Sequence, residues 1–197
     1  MKIYVIRHGQ SEANLADYYA GYLPVKLSGL GRQQAEKARK YLANITMDQV
    51  FCSDLERAKE TAKIIFPNNK LNLMPELREI NVGKIQGMQV QECKSKWPHE
   101  YIEAEKNQNF SYFGGETAEE MRHRIESCLR QIERVKADYI AIVGHEGTVR
   151  ETLNYALGEI VLLEHLKIDN ASVSVFDVEE EKWRLDKWNY TGTLQPF

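Results

Sequence analysis

The sequence predicts an α/β protein with a mostly parallel, buried central sheet. Two observations carry this. Ile3–Ile6 and Tyr139–Val143 are short, fully apolar runs, the mark of strands covered on both faces. They alternate with segments whose apolar residues recur at helical spacing. A length of 197 residues fits one domain, 1–197.

After the first strand, Gly29–Leu42 reads as a helix with Ala35, Ala38 and Leu42 on one face and Ser28 as its N-cap. Val50–Cys52 is a second short strand. Ser53 is expected to cap the next helix, with Glu56 completing an S-x-x-E box. That helix buries Leu55, Ala58, Ala62 and Ile65, and Pro67 stops it. Leu71–Met74 is a weaker strand. Residues 88–113 interrupt the alternation, holding Trp97, Tyr101, Phe110, Tyr112 and Phe113 among polar residues, with Pro98 breaking any single helix.

Thr117 and Glu120 make a capping box that opens a helix to about Val135, with Met121, Ile125, Leu129 and Ile132 on its stripe. The strand Tyr139–Val143 turns through 144–147 into a helix that Gly158 ends. Ser172–Val178 and Lys182–Trp188 form a hairpin around the acidic turn Glu179–Glu181. Trp183, Trp188 and Phe197 either make a sheet-edge contact or cover the core.

Composition narrows the function. Lys+Arg number 26 and Asp+Glu 29, so no global basic excess draws the chain to nucleic acid or to an anionic membrane. The longest apolar run, Tyr139–Val143, is far short of the ~20 residues that span a bilayer. The N-terminus reads as a strand rather than a secretory leader. Cys52, Cys93 and Cys128 are far apart and odd in number, which suits reduced thiols in a cytoplasmic protein better than a disulfide framework. His99, His123 and His165 are scattered and expected to be ordinary structural or surface histidines, and no metal site or cofactor is expected.

Two other histidines stand where ligands of parallel sheets bind, at the carboxyl ends of strands. His8 follows the first strand in Arg7-His8-Gly9-Gln10-Ser11-Glu12-Ala13-Asn14, and His145 follows Tyr139–Val143. Either alone would be read as a hydrogen-bonded turn histidine; two at equivalent places argue for a site. Arg7 adjoins His8, and Arg57 lies near the start of the helix after the second strand. Two guanidiniums, two imidazoles and helix N-termini suit an oxyanion, phosphate above all. Glu79, in Leu77-Arg78-Glu79-Ile80 ahead of Gly83 and Gly87, is one of 29 acids and could protonate a leaving alkoxide there.

These segments together resemble the histidine phosphatase superfamily. Arg7-His8-Gly9 with Ser11 and Asn14 matches its R-H-G-x-[ST]-x-x-N signature, and Gly21, Leu27, Gly31 and Ala35 match the stretch after it. Ser53 to Thr61 matches S-x-L-x-R-A-x-x-T, and Leu77 to Gly87 resembles L-x-E-x-x-x-G-x-x-x-G. Gly115-Glu116-Thr117 resembles G-E-[ST], and His145 with Arg150 matches H-x-G-x-x-R. The resemblance implies the phosphoglycerate-mutase-like fold, a three-layer α/β/α sandwich, with 88–113 as a small helical cap. It implies a phosphohistidine on His8, with Arg7, Arg57 and His145 holding the phosphoryl oxygens. Glu79 would be the proton donor and then the base, with no metal required. Asn14 and the amide after His145 would add donors, and Gln10, Ser11, Gly21 and Glu146 would line the pocket. Glu146 stands where many members carry a small residue, and its carboxylate is expected to turn to solvent.

The implied activity is hydrolysis of a small phosphorylated metabolite, and the pattern is most similar to small bacterial phosphatases of the alpha-ribazole phosphate and broad sugar-phosphate type. The runner-up within the superfamily is a cofactor-dependent phosphoglycerate mutase. The short chain, Ala20-Gly21-Tyr22 in place of F-x-G-W, and an L-x-E-I form in place of N-E-R favour hydrolysis over transfer. An inactive phospho-ligand binding module would need a missing catalytic residue, and Arg7, His8, Arg57, Glu79 and His145 are all present. The aromatics of 88–113 either stack on a substrate ring or, as expected, pack the cap onto the body. Oligomeric state, monomer or homodimer, is left open.

Overall fold

The computed structural model describes residues 1–158 and 166–192. His165 and Phe197 lie outside the described residues. Strands β1 (Lys2–Arg7), β2 (Gln49–Cys52), β3 (Leu71–Leu73), β4 (Tyr139–Gly144), β5 (Val173–Glu179) and β6 (Lys182–Tyr190) form one sheet in the order β3-β2-β4-β1-β5-β6. The first four run parallel, and β5 and β6 join antiparallel at one edge. The β5–β6 hairpin turns at Glu180 and Glu181, both at positive φ, the twist that two-residue hairpins favour.

Helices cover both faces. They are α1 (Glu12–Ala16), α2 (Gly29–Tyr41), α3 (Glu56–Ile65), α4 (Val90–Lys96), α5 (Pro98–Asn107), α6 (Ala118–Ile132) and α7 (Glu146–Leu157). The pleat of β1 divides the core. Ile3 and Val5 pack with Met121, Ile125 and Leu129 of α6 and with Val149 and Leu153 of α7. Tyr4 and Ile6 pack on the opposite face with Ala35 and Ala38 of α2 and Ala58, Ala62 and Ile65 of α3. The small residues on α2 and α3 let those helices lie close to the sheet. Truncating a fully buried strand residue such as Ile142 to Ala would cost about 2–5 kcal/mol.

The expected caps hold at two helices. Ser28 Oγ accepts from Gly31 N at 3.0 Å, and Thr117 and Glu120 form a reciprocal box at the start of α6. The third expectation is corrected. Helix α3 starts after Leu55, with no side-chain cap, and Ser53 is not its N-cap. Ser53 N is still bonded to Val143 O across the sheet, so the chain has not yet turned. Helix α6 ends at Ile132, with a turn closing from Val135 N to Ile132 O, a little before the expected end.

In the 88–113 stretch, Trp97 separates α4 from α5, and Pro98 opens α5, where its missing N–H costs nothing. Trp97 meets Phe113 edge-on at 5.3 Å, and the Lys84 ammonium lies 4.9 Å from the Tyr112 ring centre. The first contact is internal to the stretch; Tyr101, Phe110 and Phe113 pack it onto the body, in one core cluster with Leu77, Val82 and Met121. Trp183 covers the core, edge-on to Phe176 at 5.7 Å, with its indole N–H on Glu133 at 3.0 Å. Trp188 donates to Lys167 O. His99 and His123 are exposed. All three cysteines are buried free thiols, and burial pushes Cys52 and Cys128 up to about 12. Among the described residues no helix is long and apolar enough to cross a membrane.

Candidate active site

Adjacent parallel strands β1 and β4 pair Arg7 with Gly144, so His8 and His145 leave the sheet side by side. Their ring centres are 5.1 Å apart at 65°. The chain from β1 runs over one face to β2, and α7, which follows β4, packs on the other. Connections that diverge in this way open a crevice between the two strand ends. The loop after β1 is pressed against the start of α2: a Cβ on Gly9 would lie 2.4 Å from Gly31 O, so only glycine fits there.

His8 is buried and its ring is fixed at both nitrogens. Nδ1 lies 2.6 Å from Gly9 O, to which it donates, leaving Nε2 with its lone pair toward Arg57 Nε at 3.3 Å. Burial, with Arg57 and Arg7 adding to it, holds the imidazole well below the ordinary histidine range, so it is neutral at pH 7. Arg57 Nη2 donates to Gly21 O at 3.0 Å, and burial lowers its guanidinium to about 10, still charged at neutral pH. Thr61, the last residue of the matched α3 segment, ties that helix to the His8 loop: its hydroxyl accepts from Gly9 N at 3.1 Å and donates to Arg57 O at 2.8 Å.

His145 Nε2 lies 2.9 Å from Ser53 Oγ, the partner that sequence reading placed at a helix cap. Burial, then Arg57 and His8, holds this ring well below the usual range too. Arg7 donates to Ile168 O and pairs with Glu146 at 2.8 Å. Glu146 therefore faces the cavity rather than solvent alone, with 35% of its side chain still exposed, because the Arg7 guanidinium sits beside the strand end from which α7 starts. Its carboxyl is raised from the ordinary range, by burial first.

Glu79 accepts from Ile80 N at 3.0 Å, and Gly147 N faces its other oxygen at 3.5 Å, a weak contact. Three of the buried polar atoms without a partner among the described residues belong to this site: Arg7 Nε, Arg57 Nη1 and His145 Nδ1. A buried N–H donor left open costs about 1–3 kcal/mol, so Arg7 Nε and Arg57 Nη1 would favour an acceptor placed between them.

A cavity of about 250 Å³ opens over Arg7, His8 and Arg57; His145, fully buried behind His8, is not among its lining residues. Arg7, His8, Ser11, Asn14, Gly21, Arg57, Glu79 and Glu146 line it. Ser11 and Asn14 brace each other, Ser11 Oγ donating to Asn14 Oδ1 at 2.8 Å. Gln10 is a correction. It is not among the lining residues, because its Oε1 accepts from Ser28 Oγ at 2.8 Å. Sequence reading missed Tyr18, Tyr19, Glu105 and Gln108, which with Phe110 form the outer wall. Tyr19 OH donates to Glu105 at 2.6 Å and so joins the loop after α1 to α5. Arg150 also lines the cavity, with its Nε on Glu151 at 2.9 Å; the matched H-x-G-x-x-R segment was the signal for it. Phe110 is the one aromatic of 88–113 in the lining.

The family model described as "Histidine phosphatase superfamily (branch 1)" matches residues 3–191. The chain belongs to the histidine phosphatase superfamily. It is 32% identical to "Phosphoglycerate mutase-like protein 4" of Arabidopsis thaliana over 98% of this chain and 87% of that one. It is 28% identical to "Uncharacterized phosphatase PhoE" of Bacillus subtilis, over 98% and 96% of the two chains. Among solved structures, the alpha-ribazole phosphatase of Shigella flexneri superposes with a TM-score of 0.89 over 100% of both chains at 23% identity, a likeness of fold. The parallel core with its antiparallel edge is thus that of the superfamily.

Proposed function

We propose that the protein hydrolyses small phosphomonoesters through a phosphohistidine on His8. The observation that carries this reading is the state of His8: neutral, in the cavity lining, with Nδ1 committed to Gly9 O and the Nε2 lone pair held only by a long contact from Arg57 Nε at 3.3 Å. A nucleophile needs such a lone pair and such fixed aim.

The phosphoryl oxygens would be received by the open donors of Arg7, Arg57 and His145. For His145 Nδ1 to donate, the Ser53 hydroxyl must donate to Nε2, so that the ring hydrogen lies on Nδ1. These groups offset the charge that builds on the oxygens in the transition state. His8 Nε2 forms a bond to phosphorus as the ester oxygen leaves, taking a proton from Glu79. Glu79, now a carboxylate, takes a proton from water as the water oxygen attacks phosphorus. Inorganic phosphate departs, and His8 is neutral again. The names of the relatives, phosphatases and a mutase-like protein, suit this chemistry, and the cavity volume suits a metabolite rather than a phosphoprotein segment.

The test is phosphate release from p-nitrophenyl phosphate in excess EDTA, with His8→Ala beside the wild type. Turnover that survives EDTA and is lost in the variant, together with acid-labile phosphate trapped on the wild type, is the expected result. Wild-type isomerisation of phosphoglycerate without phosphate release would replace hydrolysis by the mutase reading.

A further inference from the structure

Glu79 sits on a segment that has no sheet ladder to hold it. Between β3 and α4 the chain makes only short single-turn helices, at Pro75–Leu77 and Gly83–Ile85. Backbone carbonyls in such a segment need partners from elsewhere. Four successive ones find them in side chains. Arg124 Nη1 donates to Glu76 O at 2.6 Å and to Arg78 O at 2.7 Å, and Arg124 Nη2 donates to Glu79 O at 3.0 Å. Thr148 Oγ1 donates to Leu77 O at 3.0 Å.

The remaining N–H groups of Arg124 go to Glu116, Nε to Oε1 at 2.6 Å and Nη2 to Oε2 at 2.8 Å. A guanidinium has five N–H donors in a planar fork, and all are used here. Glu116 also accepts from Asn81 N at 3.2 Å, so it grips the chain beyond Glu79 as Arg124 grips the chain before it. Both side chains are largely buried. The carboxyl of Glu79 itself has little to hold it besides its neighbour's amide at 3.0 Å and the long contact to Gly147.

We propose that Arg124 and Glu116 are positioning residues for Glu79: their fork fixes the backbone from which the proton donor reaches the leaving group. This rests on Glu79 being that donor. It also gives the Gly115-Glu116-Thr117 segment a task, since Thr117 opens α6 and thereby sets the height of Arg124 on the helix. Neither residue lines the cavity.

A proton donor matters in proportion to how badly the leaving group needs the proton. An alkoxide needs it; 4-nitrophenolate does not. Arg124→Lys keeps the charge but has three donors on a point-like ammonium and cannot span the carbonyls. We expect it to lower kcat/KM for glycerol 2-phosphate by at least about tenfold and for p-nitrophenyl phosphate by less than about threefold. Glu116→Gln, a milder change, moves the ratio the same way and serves if the lysine variant fails to fold. Added to Glu79→Gln, Arg124→Lys changes the ratio no further. Equal loss on both substrates, or loss on neither, overturns the proposal. Glu79→Gln alone separates the two ideas. If it is selective for the alkyl ester and Arg124→Lys is not, the positioning role fails by itself. If it slows both esters alike, the donor role fails and takes the positioning role with it.

Discussion

Ser53 Oγ and His145 Nε2 are 2.9 Å apart, and both side chains are fully buried. A residue at the end of β2 thereby holds a ring at the end of β4 by one of its nitrogens. Ser53→Ala leaves a buried ring nitrogen without its partner, at a cost of about 1–3 kcal/mol. We expect a lower urea midpoint with unchanged slope, and a rise in KM for p-nitrophenyl phosphate larger than any fall in kcat. An unchanged midpoint would show that the hydroxyl contributes nothing to holding the ring.

Glu146 pairs with Arg7 at 2.8 Å in the cavity that, on the proposed function, would receive a phosphate dianion. Its negative charge opposes the incoming phosphate and competes for the guanidinium. Glu146→Gln should lower KM for p-nitrophenyl phosphate by about threefold to tenfold, the scale of one repulsive charge at partly solvated distance. Steady-state kinetics at low salt decide it. A higher KM would mean that the carboxylate helps substrate binding, through a group on the leaving side.

A side chain at Gly147 needs two others to move: a Cβ there would lie 2.2 Å from Met121 Cε and 2.5 Å from Glu79 Oε1, the ends of two flexible side chains. Gly147→Ala should therefore shift Met121 in the core, costing about 1–3 kcal/mol, and push Glu79 from its place. Thermal unfolding and kcat/KM for glycerol 2-phosphate should fall together. A variant with wild-type values for both would contradict the tight packing around α7.

Acid should weaken the fold through the two site histidines. Each is held well below its ordinary range, by burial first. The unfolded chain takes up protons on them below about pH 6.5, while the folded chain does not. The stability they confer is complete above that pH and falls as pH drops toward the folded-state values, by up to about 1.4 kcal/mol per pH unit for each. Urea titrations at pH 7.5 and 5.5 on the wild type and His145→Gln measure it. The variant should show the shallower loss, and equal slopes would mean that His145 is protonated in the folded protein.

Much of the architecture was legible because burial on both faces writes itself into β1 and β4 as unbroken apolar runs. The Thr117–Glu120 box was legible for a similar reason, since both partners lie within one helical turn. Ser53 was not. Its spacing to Glu56 fits a cap, but its partner lies 92 residues away, and only the sheet brings the two together. Glu146 and Gln10 failed in opposite senses. Arg7, met across the β1–β4 pair, turned one inward; Ser28, at the start of α2, drew the other out of the lining. Glu105 and Gln108 carried no signal, and Phe110 none that set it apart from the other aromatics of 88–113. They come from a polar helix and its exit, and what they face depends on how α5 lies over the cavity.

The burial of Cys52, Cys93 and Cys128 leaves the molecule without an accessible native thiol. Thiolate is the species that alkylating reagents attack, and burial keeps all three in the protonated form. The native sequence is thus a ready background for site-specific labelling. A cysteine introduced at exposed Ile102 on α5 would be the single reactive thiol, and a fluorophore there would report how the outer wall behaves during turnover.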